Sequence, residues 1–430
     1  MYDVIVIGAR VAGSPTAMLL ARNGFKVLLV DRANFPSDTL STHLVQLKGA
    51  AALQEWGLLE RVLATNCPPI KKLSFNQGRH HLQGKYFPLG EVDASLCPRR
   101  TVLDKILVDA AVEAGVELRQ DLIVEDLLFE DGKATGIRGR IKSNTNGDGV
   151  KVEEKAPLVI GADGKHSLVA KQGQAEEYHV QPVQECAYYS YWEGFDLEGG
   201  ELYLLEKAMV GIMPTNDQQT IFFTGYPVAE FNRIREDVEG NFWKTMEAIS
   251  GLTERLRSGR QVGRFYGSTD LPGFYRRPYG PGWALVGDAG LTMDPVTGQG
   301  IGNAFRDAER LAKAVEVGFS GETPIEKAMA RYEKERNTET LPMYEFTNQA
   351  ASFVPVPRRQ EILIEALEDK PTEVERFNGM LSGSVSVKEF FSMPSLIRIM
   401  GIGGMMRVMR GNMQGAARRK APVNSRPEAS

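Results

Sequence analysis

The stretch from Tyr2 to Arg32 limits the possible folds more than any other part of this 430-residue chain. Residues Tyr2–Ile7 form a short apolar run rich in β-branched side chains, which predicts a strand buried on both faces. Gly13 can open a helix beside that strand, and Gly24 can end the helix. Because Val27–Val30 is a second buried strand, the stretch predicts a strand–turn–helix–strand unit.

The glycines and the acid of this unit suggest a ligand. Gly8 and Gly13 occupy the outer positions of a G-x-G-x-x-G pattern, and Asp31 follows Gly13 by 18 residues. This spacing suits a dinucleotide, with the pyrophosphate at the helix N-terminus and Asp31 on the ribose hydroxyls. Arg10 replaces the middle glycine, and we expect its side chain to project outward and add positive charge near the phosphates. The alternative is a strand–turn–helix–strand unit that binds no ligand. Ser14 is expected to cap the helix.

Length and charge exclude several classes of protein. A chain of this length should hold two domains and a terminal appendage, and a net charge of −4 gives no reason to expect nucleic acid as a partner. The three cysteines, Cys67, Cys97 and Cys186, lack metal or redox spacing. The first strand starts too early for a signal peptide, and no apolar run reaches the length of a membrane span. We therefore expect a cytoplasmic protein without a metal site.

A second informative stretch lies between residues 283 and 315. Trp283–Val286 reads as a buried strand, and a sharp turn at Gly287 and Asp288 follows it. A loop from Pro295 to Gly300 then leads into a helix that begins near Ile301. Asp288 could bond a ribityl hydroxyl or a hydroxyl near the phosphates, and the free amides at the helix start could face a developing negative charge.

Two further places carry candidate site residues. A polar loop ends at Thr42 and His43, on the side where a cofactor would pass; His43 is either a weak catalytic candidate or a plain residue at a helix start. Arg100 stands just before a helix that we expect Thr101 and Asp104 to cap. Arg100 therefore either meets a polar ligand or pairs with a nearby carboxylate.

Residues 180–226 are rich in β-formers and aromatic side chains and predict an antiparallel sheet. Because side chains alternate along a strand, Tyr189 and Tyr191 share one face while Tyr188 and Trp192 share the other. We expect the Tyr189 and Tyr191 face to line an apolar pocket, with ordinary core packing as the alternative.

Three separated motifs together resemble the FAD-dependent monooxygenases of the p-hydroxybenzoate hydroxylase fold, whose relatives include flavin-dependent halogenases and geranylgeranyl reductases. The resemblance rests on the dinucleotide pattern, on a DG motif, and on a GD motif that continues into the following helix. The residues that carry it are Gly8–Gly13 with Asp31 and Arg32, Gly161–Gly164 with Ser167, and Gly287–Ala289 with Pro295, Gly298, Gly300, Asn303 and Asp307.

The resemblance implies an α/β fold: a Rossmann-type FAD-binding domain, an inserted antiparallel-sheet substrate domain and a helical C-terminal segment. The expected domains are 1–75, 97–179 and 265–345 for FAD, 76–96 and 180–264 for substrate, and 346–430 for the C-terminal segment with a disordered tail. The residues expected to bind noncovalent FAD are Gly8, Val11, Ala12, Gly13, Asp31, Arg32, Thr42, Arg100, Val124, Asp163, Gly287, Asp288, Pro295, Gly298, Gly300 and Ile301.

The implied chemistry is oxygen transfer from a flavin C4a-hydroperoxide to an apolar or aromatic substrate, with O2 as oxidant and electrons from NAD(P)H or a separate flavin reductase. The weak catalytic candidates are His43, Tyr189, Tyr191 and Pro295. Ala170 replaces an arginine of the DG motif that is linked to nicotinamide binding. The alternatives are a reductase of isoprenoid double bonds and a non-enzymatic FAD- or lipid-binding protein.

Two other segments, Met209–Pro214 and 393–413, also bear on the function. Met209–Pro214 lacks both tryptophans of the halogenase signature, which disfavours a halogenase. The Met- and Gly-rich segment 393–413 reads as a cover over a pocket, with a peripheral membrane contact as the weaker interpretation.

Overall fold

The computed structural model describes residues 1–142, 149–354 and 357–420, with side chains as far as residue 408. Its strands are β1 Val4–Ile7, β2 Val27–Val30, β3 Lys72–Gln77, β4 His80–Lys85, β5 Glu117–Arg119, β6 Leu122–Glu130, β7 Lys133–Ile141, β8 Val150–Lys155, β9 Leu158–Gly161, β10 Glu177–Gln181, β11 Glu185–Glu193, β12 Gly200–Leu204, β13 Met209–Pro214, β14 Gln219–Pro227, β15 Arg260–Ser268, β16 Gly273–Arg276, β17 Tyr279–Gly280, β18 Trp283–Leu285 and β19 Leu291–Thr292.

The helices follow the same order along the chain. They are α1 Gly13–Arg22, α2 Leu47–Glu55, α3 Leu59–Leu63, α4 Arg100–Glu113, α5 Leu168–Gln172, α6 Phe231–Glu236, α7 Val238–Glu247, α8 Leu252–Arg257, α9 Gly300–Phe319, α10 Ile325–Ala351, α11 Arg358–Leu367, α12 Pro371–Ser382, α13 Val387–Phe390 and α14 Met393–Lys420. Short 3₁₀ turns include Gly287–Ala289 and Pro295–Thr297.

The first layer is a sheet in the order β17-β18-β9-β1-β2-β5, in which β18, β9, β1, β2 and β5 run parallel. Strands β1 and β2 are fully buried, as their apolar runs predict. Helix α1 contacts α4 and α9 on one face, and the three-stranded sheet β6-β7-β8 packs on the other. The predicted Rossmann-type unit is confirmed.

The second layer is a seven-stranded sheet in the order β15-β11-β14-β13-β12-β3-β4. The antiparallel sheet expected from residues 180–226 is confirmed by the pairing of β11, β14, β13 and β12, and β12 also pairs in parallel with β3. The two strands, residues 72–77 and 200–204, are far apart in the sequence. No pattern within either strand predicts that they pair in parallel. One face of the sheet joins the core of the first layer, while Trp192 and Phe222 on the other pack on α7 and α8.

Two predicted helix caps are wrong. Ser14 lies inside α1, where its hydroxyl donates to the carbonyl of Ala9 instead of accepting from a helix amide. Helix α4 begins at Arg100, so Thr101 is already helical and Asp104 is free to pair with arginines. At Ser14 a hydrogen bond to the preceding turn takes the side chain that the local pattern assigns to a cap, and at Asp104 ion pairs with Arg10 and Arg100 do so.

The C-terminal helices continue from α10 to α14, and α14 packs against α11. Gly401 interrupts α14 with φ 64° and ψ 176°. The residues Asn146–Gly149 predict a hairpin turn, which falls mainly outside the described residues. The expected disordered tail lies entirely outside them. Within the described part of the chain, no helix is long and apolar enough to cross a membrane.

Candidate functional site

Three glycine turns meet at the carboxyl ends of β1, β9 and β18. A β-carbon on Gly8, whose φ is 101°, would lie 2.4 Å from the carbonyl oxygen of Ala162. A β-carbon on Gly13 would lie 1.7 Å from the oxygen of Gly8, and one on Gly287 would lie 2.7 Å from the β-carbon of Ala12. The backbones approach this closely only because side chains are missing there. The three sequence motifs therefore lie next to one another in the folded protein.

Asp31 sits at the end of β2 and orders the first turn. One carboxylate oxygen accepts the amide of Ala9 at 2.6 Å, and the other accepts the amide of Ala33 at 2.7 Å. Each oxygen keeps a second lone pair that could accept a hydroxyl. Asp31 can therefore hold the turn and bind a ribose hydroxyl at the same time.

Arg10 does not project outward as expected. Its guanidinium donates to the carbonyl of Ser37 at 3.2 Å, to the hydroxyl of Ser37 at 2.8 Å and to the carbonyl of Asp38 at 3.1 Å. It also pairs with Asp104 at 2.7 Å. These acceptors lie on the loop after β2 and on α4, so the side chain ties both elements to the dinucleotide turn.

A compact charge cluster results at the start of α4. Asp104 has no exposed surface and pairs with Arg10 and also with Arg100, whose Nε lies 3.0 Å away. Two guanidinium groups share one carboxylate, so this cluster carries one net positive charge. Arg100 thus pairs with a carboxylate, which is the second of the two alternatives stated for it above. The surplus positive charge of the cluster still suits an anion near the N-terminus of α1.

Asp288 is exposed at the GD turn and lies in the fields of Arg100 and Lys165. The surrounding protein raises the pKa of its carboxyl, and the two positive charges oppose that rise. A carboxylate that is accessible but enclosed by protein is suited to accept hydroxyls of a ligand. Lys165 belongs to the DG turn, and the sequence reasoning missed it because nothing in its motif marks it.

The loop at Pro295 continues this surface. Gly298 has φ 63°, and a β-carbon there would lie 2.7 Å from the side chain of Leu44. Gln46 donates to the carbonyl of Thr297 at 3.2 Å, which joins the loop to the segment before α2. Helix α9 begins at Gly300 beside open space, so its first amides can face a ligand.

His43 is a fully buried residue with a left-handed backbone, φ 63°, four residues before α2 begins. Its Nδ1 lies 2.7 Å from the carbonyl of Ser41, so Nδ1 carries the proton. Its Nε2 then accepts the hydroxyl of Tyr191 at 2.8 Å. Burial lowers the pKa of His43 to about 4, and the ring is neutral at pH 7. The interpretation of His43 as a helix-start residue is therefore wrong.

Tyr189 and Tyr191 lie on the sheet face that meets the first layer. Both rings contact His43 edge to face, with centroids 5.5 and 5.9 Å away. The guanidinium of Arg99 covers the ring of Tyr191 at 3.9 Å. Burial raises the pKa of Tyr189 to about 12 and that of Tyr191 further. Three weak catalytic candidates thus form one neutral aromatic cluster.

The remaining residues that we expect to bind FAD lie in several different surroundings. Asp163 accepts the amide of Leu168 at 2.7 Å and so orders the start of α5. Arg32 is exposed, while Val11, Thr42, Val124 and Pro295 are half-buried, Val124 on the three-stranded sheet. Ile301 is buried in the first turn of α9.

The residues present fit FAD. Bare glycine backbone at two helix starts, one surplus positive charge and the accessible carboxylate of Asp288 provide for the pyrophosphate and for ribityl hydroxyls. Bound FAD would supply the redox chemistry, and the chain would position it against the aromatic cluster.

Comparisons with known proteins agree with this assignment. The model of the FAD binding domain family matches residues 1–347. A digeranylgeranylglycerophospholipid reductase of Methanosarcina acetivorans is 28% identical over 351 residues, which is 78% of this chain and 80% of the relative. A 1H-pyrrole-2-carbonyl carrier-protein brominase of Pseudoalteromonas luteoviolacea is 23% identical over 74% of this chain and 78% of its own.

Solved structures show the same fold. The flavin-dependent brominase Bmp2 has a TM-score of 0.78 at 18% identity and covers 97% of this chain and 100% of its own. PqsL, a probable FAD-dependent monooxygenase from Pseudomonas aeruginosa, has a TM-score of 0.67 at 20% identity, over 89% of this chain and 100% of its own. This chain belongs to the FAD binding domain family and is a FAD-dependent oxidoreductase.

Proposed function

We propose that the protein is a monooxygenase that hydroxylates or epoxidises an apolar or aromatic small molecule with O2 and electrons from NAD(P)H. The observation that carries the proposal is the aromatic cluster of His43, Tyr189 and Tyr191 on the sheet face that joins the core of the first layer. These three side chains are neutral at pH 7 and offer an apolar wall to a ligand, and the guanidinium of Arg99 borders that wall at Tyr191.

The cluster offers specific contacts to such a ligand. Tyr191 uses its proton on His43, so its oxygen remains available to accept a hydroxyl of the substrate. Tyr189 stacks on Tyr266 with centroids 5.2 Å apart, which fixes the ring that a flat substrate would meet. These residues would orient the substrate and exclude water, while the oxidation itself belongs to the cofactor.

A second candidate is reduction of isoprenoid double bonds. A digeranylgeranylglycerophospholipid reductase of Methanopyrus kandleri is 27% identical over 88% of this chain and 98% of its own length, which favours this reaction. An apolar wall would accept an isoprenoid chain as well as an aromatic ring. A halogenase is disfavoured, because Met209–Pro214 lacks the two tryptophans of that signature.

The two reactions differ in their need for oxygen. The FAD-loaded protein is incubated with NADH or NADPH under ¹⁸O₂ and with phenolic, polyketide and geranylgeranyl acceptors, and products are identified by mass spectrometry. A product with one heavy oxygen supports the monooxygenase. A product that gains two hydrogens, also without air, supports the reductase. Activity only with supplied reduced flavin would assign the electrons to a separate flavin reductase, an outcome consistent with Ala170 in the DG motif.

A further inference from the structure

Exposed apolar side chains are concentrated on α14 and the residues just before it. Of the 14 large apolar side chains that are exposed in the described part of the chain, five lie between Phe391 and Met406. Large apolar groups rarely gather on a protein surface without a partner. This segment also lies beyond residues 1–347, which form the FAD binding domain.

Four of these five groups form two helical pairs. Met393 and Ile397 are four residues apart with 58% and 45% of their surfaces exposed, and Ile402 and Met406 repeat this spacing with 72% and 47%. Residues four apart lie on one side of a helix, so each part of α14 presents an apolar pair to solvent. The break at Gly401 separates the two pairs.

The opposite side of α14 packs against the rest of the protein. Ile399 is 1% exposed, and the helix packs on α11. The exposed pairs are therefore not the result of a detached helix. The interpretation of this segment as a pocket cover stays a prediction.

The charge of the segment favours an anionic partner. Residues 390–420 contain six basic residues and no acidic one, so the net charge of −4 combines +6 here with −10 elsewhere. Arg398 pairs with Glu373 and Arg407 lies 3.8 Å from Glu365, while four more basic residues follow in the sequence, Arg410, Arg418, Arg419 and Lys420. Basic residues beside exposed apolar groups are attracted to anionic lipid, whereas two copies of such a segment repel each other.

We propose that α14 docks this protein on an anionic lipid surface. The helix would lie in the plane of the interface, with Ile397 and Ile402 directed toward the acyl chains and the basic residues near the head groups. An apolar substrate dissolved in the lipid could then reach the enzyme without crossing water. The docking is independent of which of the two reactions the enzyme performs.

Vesicle sedimentation tests this proposal on the full-length, FAD-loaded protein. We expect binding to phosphatidylcholine vesicles with roughly 30 mol % phosphatidylglycerol, weaker binding to phosphatidylcholine alone, and release at high salt. Ile397→Glu and Ile402→Glu should each lower the partition coefficient about tenfold or more. The matched control is Val180→Glu, which changes a side chain that is 58% exposed on β10 and should leave binding unchanged.

Flavin absorbance and far-ultraviolet circular dichroism establish that each variant is folded. Three results would overturn the proposal. One is the absence of sedimentation with either vesicle, and another is equal binding by folded Ile397→Glu and the parent. The third is a dimer in sedimentation velocity that Ile402→Glu abolishes, because that result assigns the apolar face to a second copy of the chain.

Discussion

At the scale of single residues, Glu185 is the most unusual group in the described chain. Its side chain has no exposed surface, and it lies against Asp294, the residue before Pro295. A β-carbon on Gly225 would lie 1.7 Å from its Oε1, so that glycine makes room for the carboxyl. Burial and the charge of Asp294 raise the pKa of Glu185 well above its ordinary value. Both effects favour the protonated form of Glu185 in the folded protein.

This proton links stability to pH with a definite sign. In the unfolded chain Glu185 ionises near its ordinary pKa of about 4.3, while in the folded protein it stays protonated to a higher pH. Above the ordinary pKa the unfolded state thus binds fewer protons. The free energy of unfolding then falls with rising pH, by at most about 1.4 kcal/mol per pH unit for one group, until the folded pKa is passed.

We expect Glu185→Gln to lose less stability than the parent between pH 5 and pH 8, because glutamine cannot ionise. Denaturant unfolding at several pH values measures this difference. Glu193→Gln, on the same strand but paired with surface Arg260, is the control and should keep the slope of the parent. A Glu185→Gln protein with the parental slope would show that Glu185 is ionised in the folded state.

At the scale of elements, strand β11 determines which side chains can reach a substrate. Tyr189 and Tyr191 belong to the core that joins the two layers, while Trp192 packs with Phe242 on α7. The face preferred from the sequence is the one that meets His43. Its use by a substrate remains a prediction.

Paired substitutions on β11 test that prediction. Tyr189→Phe with Tyr191→Phe should lower substrate-stimulated flavin reduction by roughly tenfold, because a lost hydrogen bond to ligand costs about 1–1.5 kcal/mol. Tyr188→Phe with Trp192→Phe changes the opposite face and should keep the parental rate. Stopped-flow absorbance follows the reduction, and FAD content verifies the fold. A loss of rate confined to the second pair would place the pocket on the other side of the sheet.

The sequence predicted the elements whose signals are local. The buried runs at β1 and β2, the glycines of the turns and the alternation along β11 each lie within a few residues. The partners of Arg10 and His43 could not be predicted in this way, because Asp104 and Tyr191 are 94 and 148 residues away. The Glu185–Asp294 pair could not be predicted either, because it joins β11 to the loop before α9, which is distant in the sequence. Long-range contacts between loops carry no periodic pattern in a sequence.

At the scale of the whole molecule, three distant parts of the chain meet at one place whose backbone fits FAD. The turns after β1, β9 and β18 interlock through their glycines, and Arg100 and Lys165 bring positive charge to Asp288. This site needs no covalent attachment, so acid precipitation should leave FAD in the supernatant and yield apoprotein.

Titration of that apoprotein with FAD tests the account most directly. Asp288→Ala should bind FAD roughly 5- to 150-fold more weakly than the parent, because the loss of a hydrogen bond to a ligand hydroxyl costs about 1–3 kcal/mol. Asp196→Ala removes an exposed carboxylate on the far side of the sheet domain and serves as the control, with unchanged affinity. Equal dissociation constants for Asp288→Ala and the parent would contradict the convergence of the three turns on one flavin site.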